Sequence, residues 1–320
     1  MVAIAWFVLL LATNNLGYSL TSLHAKSPKK RSKGTPATSG GFGGRHIQKP
    51  AVNDALEEED ADKLDKWGLP AVPTHESIFP PSLREIKPID RHLFPIDLTN
   101  AKFGMPASPE LLRQYVTTPH LSTFVPTTDC FFLNLEPAVL YFPSFLDSST
   151  CRAYIQQITS KSLSTKSPTF SDNPSIVRTS RTFYTENENV EELHSKAVSV
   201  LCSSSSQASR FEDIQMLRYG PGGEFTYHID NVPSPSTSNG GDRTSTLLVY
   251  LNDVAEGGRT IFRDLDLKVP PREGSAVLFF NKVEDGVDDR VVHRGEPVGK
   301  GAEKFCCQIW NHERPYESQL

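Results

Sequence analysis

Apolar residues in the C-terminal half of the chain recur with a period of two and are interrupted every few residues by glycine, proline, asparagine or aspartate, the signature of short strands joined by turns. Gln215 to Tyr219 is a short apolar stretch that ends in the turn Gly220-Pro-Gly222-Gly223. Arg243-Thr-Ser-Thr246-Leu-Leu-Val-Tyr250 reads as a buried strand closed by the turn signal Asn252-Asp253, and Gly274 to Asn281 reads as another. The segment Lys304 to Trp310 alternates so that Lys304, Cys306, Gln308 and Trp310 share one face. Two stretches change period. Asp147-Ser148-Ser149 offers an N-cap before Cys151, Tyr154, Ile155 and Ile158, which fall at i, i+3, i+4 and i+7. Asn189 to Cys202 predicts a second helix, with Val190, Leu193, Ala197, Val200 and Leu201 inward and Glu191 and Glu192 in the first turn, where the helix dipole favours them. The expected fold is mainly β with flanking helices.

Candidate chemistry enters with His228 and Asp230, in the run Gly-Glu-Phe-Thr-Tyr-His-Ile-Asp, and with His293 in Val-Val-His-Arg-Gly. On extended chain, i and i+2 point to the same side, so His228 and Asp230 can grip one ion while His293 arrives from a later strand. Two imidazoles and one carboxylate occupy one face of an octahedral metal and leave positions open, the arrangement of non-haem Fe(II) oxygenases. Structural zinc would call for four closed ligands, usually with thiolates, and no cysteine lies near His228. With nine histidines and thirty-eight acidic residues in the chain, an HxD pair alone also arises by chance.

The surrounding order narrows the choice. RxS at Arg178 to Ser180, QxxRYxxGxxF from Gln215, HxD, YLNDVxEGGxTxF from Tyr250, a GxAxLFFN strand, then His293 and Lys304 together resemble the prolyl 4-hydroxylase branch of the Fe(II)/2-oxoglutarate dioxygenases, in its short single-chain plant and algal form, over about residues 135 to 315. That resemblance implies a double-stranded β-helix (jelly-roll, cupin-like) fold with two helices buttressing one sheet. It implies His228, Asp230 and His293 as iron ligands and catalytic centre, Lys304 as partner of the distal carboxylate of 2-oxoglutarate, and Tyr219 and Thr246 as lining of the cosubstrate pocket. Arg178 and Ser180 match a segment at the edge of the family's substrate groove. The cofactors implied are Fe(II), 2-oxoglutarate and O2, with ascorbate keeping the iron reduced. The implied activity is hydroxylation of peptidyl proline with release of succinate and CO2. The related halogenases carry a small residue where Asp230 stands, so hydroxylation is the implied outcome here.

Two departures stand out. Phe225 occupies the place of the family's second tyrosine, and Lys304 follows His293 by one residue more than the family spacing, which makes Lys300 a rival anchor. Lys304 is preferred because it lies six residues before Trp310 and projects from a strand, whereas Lys300 sits between Gly299 and Gly301. A long side chain on a loose turn loses more entropy on anchoring a carboxylate. The metal triad does not encode substrate, so the same fold acting on another residue or on a small metabolite stays open, as does a catalytically inactive binding module. His312, beyond Trp310, reads as a surface residue.

Composition adds organisation rather than chemistry. The 320 residues carry a net charge of −5, which implies no general affinity for nucleic acid. Val2 to Ala12 is an apolar run too short to span a bilayer comfortably, and Gly17-Tyr-Ser19 offers small residues at a cleavage position, so residues 1–19 read as a signal peptide or signal-anchor. If the signal is cleaved, no stable membrane span remains. Residues 21–50 carry seven Lys or Arg and no acid, and residues 54–65 switch to seven acids, so 20–66 reads as a disordered or targeting segment. Residues 67–130 form a Pro-rich extension and 131–318 the dioxygenase domain. The expected destination is the secretory pathway, endoplasmic reticulum or Golgi, with a plastid reached through a bipartite presequence as the alternative. Among the five cysteines, Cys151 and Cys202 lie on the two predicted helices as a pair or as buried thiols.

Overall fold

The computed structural model describes residues 82–116, 129–160, 165–167, 177–185, 190–201, 205–232, 236–284 and 286–320. The expectations for residues 1–19 and 20–66 and for Cys202 lie outside them. All the described residues fall within one compact unit, Glu59–Leu320. No helix among them is long and apolar enough to cross a membrane.

Two antiparallel sheets dominate. The larger runs, strand by strand across the sheet, Met105–Pro106, Phe131–Asn134, Val139–Phe142, Ala276–Phe280, Arg243–Tyr250, Lys304–His312, Ile214–Tyr219, Arg181–Thr185 and Thr165–Lys166. The smaller runs Leu267–Val269, Thr260–Phe262, His293–Gly295 and Phe225–His228. The alternation along each strand sorts its side chains into two cores. Leu247 and Val249, Ala276 and Leu278, and Cys307 and Ile309 join Cys151, Tyr154, Ile158, Leu193 and Ala197 in a core between the larger sheet and the helices. Their neighbours Leu248, Tyr250, Val277, Phe279, Leu217 and Cys306 point the other way and pack with Phe262, Leu267 and Val269 of the smaller sheet. This is the double-stranded β-helix, with its second core between the sheets.

Both predicted helices form, as Ser148–Ser160 and Glu191–Leu201. The Asp147 carboxylate accepts from the Thr150 amide at 2.8 Å and caps the first. Cys151, Tyr154 and Ile158 are buried along its inner face, while Ile155 is half-buried.

Two expectations need correction. The extension assigned to 67–130 does not end where the domain begins: Met105 pairs with Phe132, Lys87 bridges to Glu136, and Ile89, Leu112 and Val116 enter the helix-side core. Scattered apolar residues too sparse to show a period still supply an edge strand and a cover for the sheet. The last strand also runs on through His312, which is buried rather than on the surface because its Nε2 meets Glu212 Oε1 at 2.8 Å. Cys151 is a buried free thiol, in line with the second of the two readings given for it.

Candidate active site

The site is assembled from the register of the smaller sheet. His293 lies directly across from His228 in the antiparallel pair, so both rings project to the same side, 4.4 Å apart between centroids. Asp230 stands two residues past His228, just beyond the strand end. The potential ligand atoms of the three residues lie within 4.8 Å of one another, and all three residues are buried. His228 Nε2 is 3.4 Å and His293 Nε2 3.8 Å from the Asp230 carboxylate.

Each imidazole has its tautomer set from behind. His228 Nδ1 faces the Thr226 carbonyl at 2.7 Å and His293 Nδ1 the Val291 carbonyl at 3.0 Å, so both Nδ1 atoms donate and both Nε2 lone pairs aim at the centre. His228 Nε2 is buried without a hydrogen-bond partner, an expensive state unless an electron-pair acceptor fills the space before it. Burial and the neighbouring His228 hold His293 down at about 4, so it is neutral at neutral pH. Burial works against the charged form of Asp230, but contact with His228 and the nearby His293 more than offset it and keep the carboxyl well below the usual range. Two neutral imidazoles and one ionised carboxylate fit Fe(II) on one octahedral face.

A pocket opens beside this centre, lined among others by Tyr219, Phe225, Thr260, Lys304, Cys306 and Gln308. Lys304 opposes Tyr219 in register and is buried. Its Nζ donates to the Gly258 carbonyl at 2.8 Å and lies over the Tyr219 and Tyr250 rings, at 5.5 and 5.3 Å from their centroids. Burial pushes its ammonium pKa down, and none of these contacts supplies a counter-charge. A buried cation with neutral contacts fits a carboxylate from outside the chain. The Gly258 carbonyl is presented by the turn Glu256-Gly257-Gly258, where both glycines take positive φ and a Cβ on Gly257 would collide with the Pro297 carbonyl. Lys300 is exposed in a turn and does not line the pocket.

Not every predicted position falls where expected. Thr246 is fully buried and is absent from the pocket wall, because its hydroxyl is turned to Asp230 Oδ2 at 2.9 Å. Arg178 and Ser180 are buried rather than at an open groove edge: Arg178 donates to Ser180 Oγ at 3.1 Å and to Gln215 Oε1 at 2.7 Å, and its guanidinium lies 4.7 Å from the Phe225 ring centre. Phe225 in turn stacks on His228, with centroids 3.5 Å apart and rings 14° from parallel. Sequence reasoning missed Gln308, whose Nε2 donates to Asp230 Oδ2 at 2.9 Å, and Thr260, which accepts from the Tyr250 hydroxyl at 2.7 Å inside the pocket. The signal for Gln308 was its place on the Lys304 face of the last strand.

A double-stranded β-helix carrying a two-histidine, one-carboxylate centre beside a buried lysine defines the class of Fe(II)/2-oxoglutarate-dependent dioxygenases. Residues 214–312 match the model of the 2OG-Fe(II) oxygenase superfamily. Within that superfamily the chain is similar to prolyl 4-hydroxylases. It is 28% identical over 214 residues to the probable prolyl 4-hydroxylase 9 of Arabidopsis thaliana, covering 58% of this chain and 72% of that one. It is 36% identical over 110 residues to the prolyl 4-hydroxylase subunit alpha-2 of Gallus gallus, covering 33% of this chain and 20% of that one. Among solved structures, the viral collagen prolyl hydroxylase of Paramecium bursaria Chlorella virus-1 in complex with 2-oxoglutarate aligns with a TM-score of 0.43 at 27% identity, over 54% of this chain and 94% of that one. The family implies Fe(II), 2-oxoglutarate and O2 as its reagents.

Proposed function

We propose that this chain hydroxylates proline residues in peptides or proteins at the 4 position, and that His228, Asp230 and His293 hold its iron. The observation that carries the reading is the buried convergence of those three side chains beside the buried ammonium of Lys304. The proline assignment rests on the prolyl 4-hydroxylase relatives. Iron bound at the three side chains would supply the redox chemistry that couples decarboxylation of 2-oxoglutarate by O2 to hydroxylation of a C–H bond, with succinate and CO2 as coproducts.

The chain's own residues bind, orient and exclude water. Lys304 would take the distal carboxylate of 2-oxoglutarate, which fixes the length of the cosubstrate along the pocket. The Thr226 and Val291 carbonyls keep each imidazole proton on Nδ1, so neither ring is free to turn. Phe225 covers His228 with an apolar face and keeps water from its ring. Ascorbate would keep the iron reduced between turnovers.

The apolar run Val2 to Ala12 and the small residues at Gly17 and Ser19 support entry into the secretory pathway, with the endoplasmic reticulum or Golgi as the site of action. The acid-free basic stretch at 21–50 supports one second reading, a plastid reached through a bipartite presequence. The test of function is succinate release coupled to hydroxyproline formation when the purified, iron-loaded protein meets a proline-rich peptide and 2-oxoglutarate. Turnover of 2-oxoglutarate with a small metabolite alone would overturn the peptide assignment.

A further inference from the structure

Asp230 reaches the centre with its two oxygens in different states. Oδ2 accepts from Thr246 Oγ1 and from Gln308 Nε2, each at 2.9 Å, and lies 3.8 Å from His293 Nε2, while Oδ1 accepts from neither donor and lies 3.4 Å from His228 Nε2. Both donors are themselves buried. Thr246 has a single hydroxyl hydrogen, and Asn281 Nδ2 donates to its oxygen at 2.9 Å, so that hydrogen is free to go only to Asp230. The register explains why the donors converge: Thr246 and Gln308 stand on adjacent strands of the larger sheet, where Thr246 pairs with Trp310 and Leu248 with Gln308. Their side chains reach across the barrel to a carboxylate that leaves the smaller sheet.

We propose that Gln308 and the Asn281–Thr246 pair are positioning residues that occupy Asp230 Oδ2 and leave Oδ1 as its one metal-binding oxygen. The inference rests on the reading of His228, Asp230 and His293 as the metal site. Two donors on an ionised oxygen make charge-assisted bonds, which fix the carboxylate plane as well as its charge. A carboxylate free to rotate would bind through both oxygens and take one of the positions that 2-oxoglutarate and O2 need. Gln308 also walls the pocket, so the residue that would orient the carboxylate stands beside the proposed cosubstrate.

The test is Mn(II) binding to the full-length protein, followed by titration calorimetry, for Gln308→Leu, Thr246→Val and Thr246→Ser, with the melting temperature of each variant recorded. Partners of metal ligands typically contribute about 10–100-fold in metal affinity. Gln308→Leu and Thr246→Val are expected to weaken Mn(II) by that order, and Thr246→Ser, which keeps the hydroxyl, to restore the wild-type value. In the Co(II)-loaded protein the ligand-field spectrum of Gln308→Leu should move as the Asp230 carboxylate turns from its wild-type orientation. Wild-type Mn(II) affinity and an unchanged Co(II) spectrum in Gln308→Leu would overturn the proposal; should that variant not fold, equal Mn(II) affinity in Thr246→Val and Thr246→Ser would do so. His228→Ala separates the two levels: if it too binds Mn(II) normally, the metal-site reading fails, and if it alone loses Mn(II), only the positioning role fails.

Discussion

Replacing Lys304 with methionine should move cosubstrate affinity and protein stability in opposite directions. The side chain is 4% exposed, and its ammonium meets the Gly258 carbonyl at 2.8 Å and the faces of Tyr219 and Tyr250, with no carboxylate among these contacts. Methionine fills nearly the same volume without the charge. Removing the ammonium forfeits a hydrogen bond to the distal carboxylate of 2-oxoglutarate, and bonds to charged groups are worth about 1.5–3 kcal/mol. That converts to about a 10- to 150-fold loss of 2-oxoglutarate affinity. In the protein without cosubstrate the balance reverses. An uncompensated buried ion costs several kcal/mol, and stranding the Gly258 carbonyl costs about 1 kcal/mol. The net is a gain of about 2 kcal/mol, or a melting temperature higher by about 4–8 °C in a domain of this size. Calorimetric titration of 2-oxoglutarate into the Mn(II)-loaded protein reads the first effect and a thermal melt without cosubstrate reads the second. Lys300→Met, at an exposed turn, should change neither. Unchanged affinity in Lys304→Met would refute the anchor, and a lower melting temperature would refute the argument that its charge is uncompensated.

Two further outcomes follow from buried groups away from the pocket. Burial alone would raise the Glu212 carboxyl, but Arg243, bidentate at 3.0 and 2.8 Å, and His312 at 2.8 Å hold it below its ordinary value. A folded-state pKa below the unfolded one adds stability above about pH 4.3 and loses it as the pH falls through the folded value; denaturant melts across that range should therefore show a shallower acid loss for Glu212→Gln than for the wild type, and parallel curves would refute it. Leu247→Ala opens a hole at a fully buried position on the central strand facing the helices, and should cost about 2–5 kcal/mol in a denaturant melt; a loss within the range of surface substitutions would contradict the division of that strand between two cores.

What could be read before folding was whatever depends on local spacing. Alternation along Arg243 to Tyr250 and Lys304 to Trp310 gave the strands and their faces, and the i, i+3, i+4, i+7 pattern gave the helix from Ser148. The facing of His228 and His293 could be anticipated because each sits on its own short strand. What escaped was set by pairing across long separations. The burial of His312 depends on Glu212, a hundred residues earlier. Thr246 faces Asp230 rather than the cosubstrate because of where the smaller sheet crosses the larger one, which periodicity does not carry. The 82–116 segment shows no period of its own because it borrows its order from the sheet it covers.

The last strand explains why the lysine must sit at 304 and not merely nearby. Lys304 and Gln308 are four residues apart on one face, which at a rise of about 3.4 Å per residue separates their Cα atoms by about 14 Å. One end of that interval holds the cation that would receive the far carboxylate of 2-oxoglutarate; the other holds the amide bound to Asp230. The strand is paired on both sides, to Arg243–Tyr250 and to Ile214–Tyr219, so neither end can slide independently. On the proposed reading it acts as a ruler between Lys304 as cosubstrate anchor and Asp230 as metal-binding carboxylate. The extra residue between His293 and Lys304 is absorbed before the ruler begins, in the turn around Lys300, and leaves the interval intact. An insertion between 304 and 308 would instead turn Lys304 to the opposite face of the sheet, into the core under the helices, and separate the two anchors altogether.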